Sequence, residues 1–167
     1  MMEYTRGIAR MLHEEHMATI ALLERIEATL AAHRKAAPDT GSPEIASLLG
    51  DIASAVDNEV SVHFAFEQDH LFTRLRDGGD TGMTHILQGE HDVILPLGKQ
   101  VGEIARGALS GGFDDNAWAE FRRLAGELAE RMISHIQKEE MGMLPALEDL
   151  LDDEADMEVS GVYAGMR

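Results

Sequence analysis

Apolar residues recur along the chain at spacings of three and four, as in the run Leu124, Leu128, Met132, Ile133 and Ile136. That period covers one face of a helix. No stretch alternates apolar with polar residues as a half-buried strand would. Segments rich in Ala, Leu, Glu, Ile and Met, mostly good helix formers, are divided by Pro38 and Pro43, by Gly78, Gly79 and Gly82, and by Gly111 and Gly112. The pattern predicts helices near residues 5–35, 43–77, 82–109 and 115–152. Ser42 can cap a helix that opens on Pro43, and Asp114 or Asp115 can cap the helix carrying Trp118 and Phe121. Pro96, inside the third segment, should kink it near Leu95.

Short connections between long helices favour antiparallel neighbours. The expected fold is therefore all-α, an antiparallel up-down-up-down four-helix bundle over residues 1–152. Residues 153–167 are acidic and then glycine-containing, and read as an acidic C-terminal tail or a short extra element.

Composition narrows the chemistry. The 167 residues suit one domain with a real core, and they include no cysteine, which excludes disulfides, thiolate metal sites, iron–sulfur clusters and a cysteine nucleophile. Fourteen basic side chains stand against 31 acidic ones, a net charge of −17, without a Lys/Arg cluster. Such a surface repels nucleic acid and attracts cations. Apolar runs fall far short of the roughly 20 residues that span a bilayer. The opening Met1-Met2-Glu3-Tyr4-Thr5-Arg6 has no apolar leader, so the expected location is cytoplasmic. Phosphate loops of the GxxxxGK type, GxGxxG turns and GxSxG elbows do not occur, and His13-Glu-Glu-His16 is not an HExxH zinc-protease motif.

An internal repeat singles out the remaining chemistry. Displaced by 75 positions, the first helix falls on the third, matching Leu12 with Leu87, Glu15 with Glu90, and His16 with His91. Displaced by 72, the second falls on the fourth, matching His63 with His135, Glu67 with Glu139, Leu71 with Met143, and Leu75 with Leu147. Each pair of helices thus carries a Glu-His and then a His-x-x-x-Glu. In an antiparallel bundle, His16, His63, Glu67, His91, His135 and Glu139 all lie about 9–16 residues from the same end of the bundle, a common level.

Residues four apart share a helix face, so each His-x-x-x-Glu projects an imidazole and a carboxylate together. A buried carboxylate needs a partner. The residues three and four away from Glu67 and Glu139 include no Lys or Arg. A pair of cations would satisfy the layer, each taking two histidines, with the glutamates as bridges. Nitrogen and oxygen donors without sulfur suit iron, manganese or zinc. His13, three residues from His16, is a candidate seventh ligand, and His70, whose repeat partner is Gly142, a weaker one. His33 and His85 read as surface or outer residues. Glu15 and Glu90 read as hydrogen-bond partners around the site or as solvated charges.

The pieces Leu12-His-Glu-Glu-His16, His63-x-x-x-Glu67, Gly89-Glu-His91 and His135-x-x-Lys-Glu139, followed by Met143-Leu-Pro-Ala-Leu147, resemble the hemerythrin-like family of HHE cation-binding domains over about residues 8–150. The resemblance implies a four-helix bundle around a non-haem di-iron centre, two iron ions bridged by carboxylates and an oxo or hydroxo group. Its ligands would be His16, His63, Glu67, His91, His135 and Glu139. Oxygen-carrying hemerythrins add a histidine four positions from its partner in the third helix and end on HxxxxD. Here Leu87 and Leu95 flank His91, and the fourth helix has HxxxE. The resemblance therefore implies iron handling, stress response or small-gas sensing rather than simple oxygen carriage.

Three functions follow as expectations. The first is a di-iron protein that senses, binds or buffers dioxygen, nitric oxide or iron. The second is a di-iron enzyme that decomposes peroxide or oxidises ferrous iron. The third is a metal-free interaction bundle whose histidines are core residues. The sequence leaves the oligomeric state open.

Overall fold

Each of the four apolar stripes folds as one rod. The computed structural model describes residues 3–167, and the described residues contain helices and no strand. Helix α1 is Gly7–Ala32. Helix α2 runs over residues 43–77, with wide π-helical turns at Ala55–Val60 and Glu67–Leu71. Helix α3 is Thr81–Gly111, and α4 runs over 115–150 with a π-turn at Glu139–Met143. A fifth helix, α5, is Asp153–Met166.

Neighbouring rods are antiparallel. Trp118 at the start of α4 donates to the carbonyl of His33 at the end of α1, at 2.8 Å. At the opposite end, Thr5 and Arg6 bond Glu148 near the end of α4. Arg25 of α1 meets Asp51 of α2, and Arg106 of α3 meets Asp57 of α2.

The helix boundaries have local causes. Asp114, of the two candidates, caps α4 by accepting from the Ala117 N–H at 2.7 Å. Ser42 occupies the position before Pro43, but its side chain makes no capping bond. The turn after α2 and the end of α3 use Gly79 and Gly112 at φ of 104° and 73°, a region that side chains with a Cβ disfavour. Helix α3 continues through Pro96 without a break.

Residues 153–167 form the extra element rather than a loose acidic tail. Asp152 caps α5 through the Ala155 N–H at 2.8 Å, and Val159 and Tyr163 are buried. The acidic residues have a structural use as well. The start of α1 has no cap of its own. Glu148 of α4 accepts from the N–H groups of Thr5 and Arg6, and Asp156 of α5 accepts from those of Gly7 and Ile8. Carboxylates from two other helices thereby satisfy the unpaired donors and positive pole of α1.

The core has two apolar halves. One holds Leu23, Ile26, Ile52, Phe64, Ile94, Trp118, Phe121 and Ile136. The other holds Ile8, Leu12, Phe66, Phe72, Leu87, Met143, Val159 and Tyr163. Between them, at a single level, lie the buried polar residues His16, His63, Glu67, His91, His135 and Glu139.

Candidate metal centre

The π-turns explain how two helices aim four successive groups inward. On α2 these are His63, Glu67, Leu71 and Leu75, and on α4 they are His135, Glu139, Met143 and Leu147, all buried. In an ordinary α-helix three steps of four residues would drift about 120° around the axis. The wide turns beginning at Glu67 and at Glu139 take up this drift and keep each glutamate on the same face as the apolar residues beyond it. Such turns are frequent at functional sites.

All six residues come together. They form two overlapping tetrads, His16, His63, Glu67 and Glu139, and Glu67, His91, His135 and Glu139, within each of which the donor atoms lie within 4.8 Å of one another. Both glutamates belong to both tetrads, and their oxygens divide between them. On one side, Glu139 Oε2 is 2.9 Å from His16 Nε2, and Glu67 Oε2 is 3.2 Å from His63 Nε2. On the other, Glu139 Oε1 is 2.5 Å from His135 Nε2, and Glu67 Oε1 is 3.3 Å from His91 Nε2.

The inner nitrogens therefore face the centre, while the outer ones are held by a ring of side chains from neighbouring helices. Glu15 of α1 pairs with His63 Nδ1 at 2.9 Å, and Gln68 of α2 with His91 Nδ1 at 2.9 Å. Glu90 of α3 pairs with His135 Nδ1 at 2.8 Å, and Glu140 of α4 with His16 Nδ1 at 2.7 Å. Each helix thus holds a histidine of the next, and the ring closes. Partners of this kind fix the orientation of a ligating imidazole and raise its basicity.

Electrostatics follow from the same contacts. Burial works against a charge on His16, but its bonds to Glu139 and Glu140 prevail and raise its pKa to about 9. Burial likewise opposes protonation of His63, His91 and His135, and the surrounding glutamates raise all three, His63 well above the ordinary value. Burial would lift the carboxyl of Glu139, yet His135, His16 and His63 hold it well below the usual carboxylate range. Glu15, Glu90 and Glu140 are also lowered, their desolvation outweighed chiefly by bonds to His63, Lys138 and His16 respectively. Protons thus balance charge that a cation would balance after displacing them.

The donor atoms fit a metal ion. Both oxygens of Glu67 and Oε1 of Glu139 are buried without a hydrogen bond of acceptable geometry, an expensive condition for carboxylates. His91 Nε2 and His135 Nε2 stand 3.1 Å apart. Two nitrogens bound at right angles about 2.1 Å from one ion would be separated by about 3.0 Å. Beside the cluster lies a void of about 10 Å³ lined by His16, Thr19, Val60, Phe64, Met132 and Ile136 among others. That is near the smallest space that admits a water-sized molecule.

The other histidines stay outside. His13 bonds Glu140 Oε1 at 2.5 Å, and so buttresses His16 through that carboxylate. His70 stacks on Phe66, His33 lies edge-on to Trp118, and His85 is exposed. Sequence reasoning placed Glu15 and Glu90 around the site but missed Gln68, Glu140 and Tyr163. The displacement of 72 that pairs Glu67 with Glu139 also pairs Gln68 with Glu140, and that was the available signal. No helix among the described residues is long and apolar enough to cross a membrane.

No curated protein matches the chain in sequence. The model of the hemerythrin HHE cation-binding domain matches residues 7–156, which include all six residues of the central layer. With that match over most of its length, and a buried His/Glu cluster able to hold a metal ion, the chain belongs to the hemerythrin HHE cation-binding domain family.

Proposed function

We propose that this chain is a non-haem di-iron protein that binds a small molecule such as dioxygen or nitric oxide in a sensing or buffering role. His16 and His63 would hold one ion, His91 and His135 the other, and Glu67 and Glu139 would bridge them. One observation carries the reading: each glutamate presents Oε2 to the first histidine pair and Oε1 to the second. A carboxylate serving one ion and an unrelated ion pair would not divide its oxygens in this way.

Bound there, two iron ions supply redox-variable Lewis-acidic chemistry toward a small ligand. The protein's part is to select and to orient. Val60, Phe64, Met132 and Ile136 make most of the void's wall apolar, and its volume of about 10 Å³ leaves room beside the cluster only for a very small molecule. Glu15, Glu90 and Glu140 accept at Nδ1 of His63, His135 and His16, which leaves each Nε2 free for a cation, and the Gln68 amide nitrogen faces Nδ1 of His91. Family membership and the sulfur-free donor set support iron, and the same donors accommodate manganese or zinc.

Metal analysis of the protein from iron-replete cells, with an absorption spectrum in air, tests this. The expected result is about two irons per chain and a near-ultraviolet band that moves on addition of nitric oxide and is lost in Glu67→Ala. Protein that carries no metal, with stability indifferent to His63→Ala, would identify a metal-free bundle instead. Sustained turnover of hydrogen peroxide by the loaded protein, abolished by Glu67→Ala, would assign an enzyme.

A further inference from the structure

The four outer partners are not chemically equal. His16 and His63 are both backed by carboxylates, Glu140 and Glu15. On the other side His135 is backed by Glu90, but His91 is backed by the side-chain amide of Gln68 at 2.9 Å. The repeat makes this a departure at one position, since Gln68 stands where Glu140 stands in the second half.

Charges farther out do not restore the balance. Arg167 lies 3.1 Å from Glu15, and Lys138 lies 2.5 Å from Glu90. These two cations are about equally solvent-exposed, at 51% and 46% of their side-chain surface, so one offsets the other between the halves. His13 Nδ1 also bonds Oε1 of Glu140, which holds that carboxylate in place. What remains is one carboxylate against one amide.

The difference acts on the ring nitrogen that faces the centre. A carboxylate accepting from Nδ1–H makes Nε2 a better donor to a cation and adds its own attraction for the ion. The neutral amide of Gln68, whose Nε2 faces His91 Nδ1 at 2.9 Å, accepts no proton there and carries no charge, so it does neither. His91 is also the histidine lying flat on an aromatic ring, Phe64, with centroids 3.7 Å apart, and it packs against Phe72 at 5.2 Å.

We infer that the two halves of the centre hold their ions unequally: the His16/His63 half keeps a tight ion, the His91/His135 half holds an exchangeable one, and Gln68 is the positioning residue that sets the difference. The inference rests on the dinuclear reading given above. It adds a regulation to it, because a chain that keeps one ion and exchanges the other passes between one-metal and two-metal forms as the iron supply changes.

The test is an anaerobic calorimetric titration of the metal-free, full-length chain with ferrous iron. Two binding steps separated by roughly 10- to 100-fold in Kd are expected, the usual effect of altering a partner of a ligating histidine. Gln68→Glu should tighten the weaker step and narrow the gap, and Glu140→Gln should weaken the stronger step by a similar factor. Competition for the shared glutamates separates the steps in every variant, so the change on Gln68→Glu isolates the amide. Tightening cannot come from damage to the fold. Two indistinguishable steps in the wild-type chain, or a gap that Gln68→Glu leaves unchanged, would overturn the inference and leave the dinuclear reading standing. Binding of fewer than two ions at any iron concentration would overturn the dinuclear reading itself.

Discussion

The phenol of Tyr163 donates a hydrogen bond to Oε2 of Glu15, the same oxygen that pairs with Nδ1 of His63. A residue of the last helix therefore steadies one of the six central groups through a single intermediary. Burial, together with the charge and hydrogen bond of Glu15, raises the Tyr163 pKa, so the phenol remains the donor across the neutral range. The ring is buried and stacks on Phe66 at 4.4 Å. Tyr163→Phe should keep that packing and lose the bond, which costs about 1 kcal/mol. Tyr163→Ala should lose both and cost about 3–5 kcal/mol. Denaturant unfolding of the two variants checks the difference: a Tyr163→Phe protein as stable as wild type would show that the hydroxyl contributes nothing, and equal losses that the ring adds nothing to it.

A pH-dependent contribution is expected at the start of α1. Burial alone would lift the Glu148 carboxyl, but bonds from the Thr5 hydroxyl and from the N–H groups of Arg6 and Thr5 outweigh it and lower the pKa. A group whose pKa is lower in the folded state adds stability above its unfolded value, about 4.3 for glutamate, and loses it as pH falls through the folded value. Glu148→Gln should therefore cost about 1 kcal/mol at pH 7, typical of a lost helix cap, with the deficit shrinking below about pH 4. Urea unfolding of both proteins at pH 7 and pH 3.5 measures it.

How far the chain could be read before folding depends on what each feature asks of its neighbours. The four rods were legible because helix breakers separate periodic segments, and the central layer because one chemistry requires the same residue types at matched spacings. The π-turns were not read, although their trace is present. Inward residues at 63, 67, 71 and 75, and at 135, 139, 143 and 147, keep a strict spacing of four that an ordinary helix cannot hold on one face. Helix α5 was harder, because only Val159 and Tyr163 are buried on it, too few to display a period. Its acidic start looked like solvated tail, yet Asp156 serves the N–H groups of a helix nearly 150 positions away in the chain. Gln68 and Glu140 were missed for the same reason, since each acts on a histidine of another helix.

Metal should stabilise the fold. The carboxylate oxygens of Glu67 and Glu139 that lack hydrogen bonds would gain partners on binding. Free ferrous iron at about 100 times its Kd should add about 2.7 kcal/mol for each site it fills. For a chain of this size each kcal/mol is worth roughly 2–4 °C in Tm. Anaerobic thermal scans with iron, and again after a chelator, should show a rise of that order and its reversal. Glu139→Gln, which removes a shared charge from both tetrads, should abolish most of the rise.

The void beside the cluster should control access of the small ligand. Thr19, one turn along α1 from His16, lines it. Thr19→Ile adds carbon to a space of about 10 Å³, and overpacking of this kind costs about 1–3 kcal/mol. If that cost falls on the bound state, nitric oxide affinity should drop roughly tenfold or more, while iron content stays at the wild-type level. Spectral titration with nitric oxide, alongside metal analysis, separates a blocked pocket from a lost centre.

Anomalous scattering at the iron edge, from crystals of the protein grown with iron, addresses the dinuclear centre without intermediaries. Two peaks should lie between Glu67 and Glu139, one flanked by His16 and His63 and the other by His91 and His135. A lone peak outside this layer, or a layer without any peak in iron-loaded crystals, would show that the six side chains serve some other purpose.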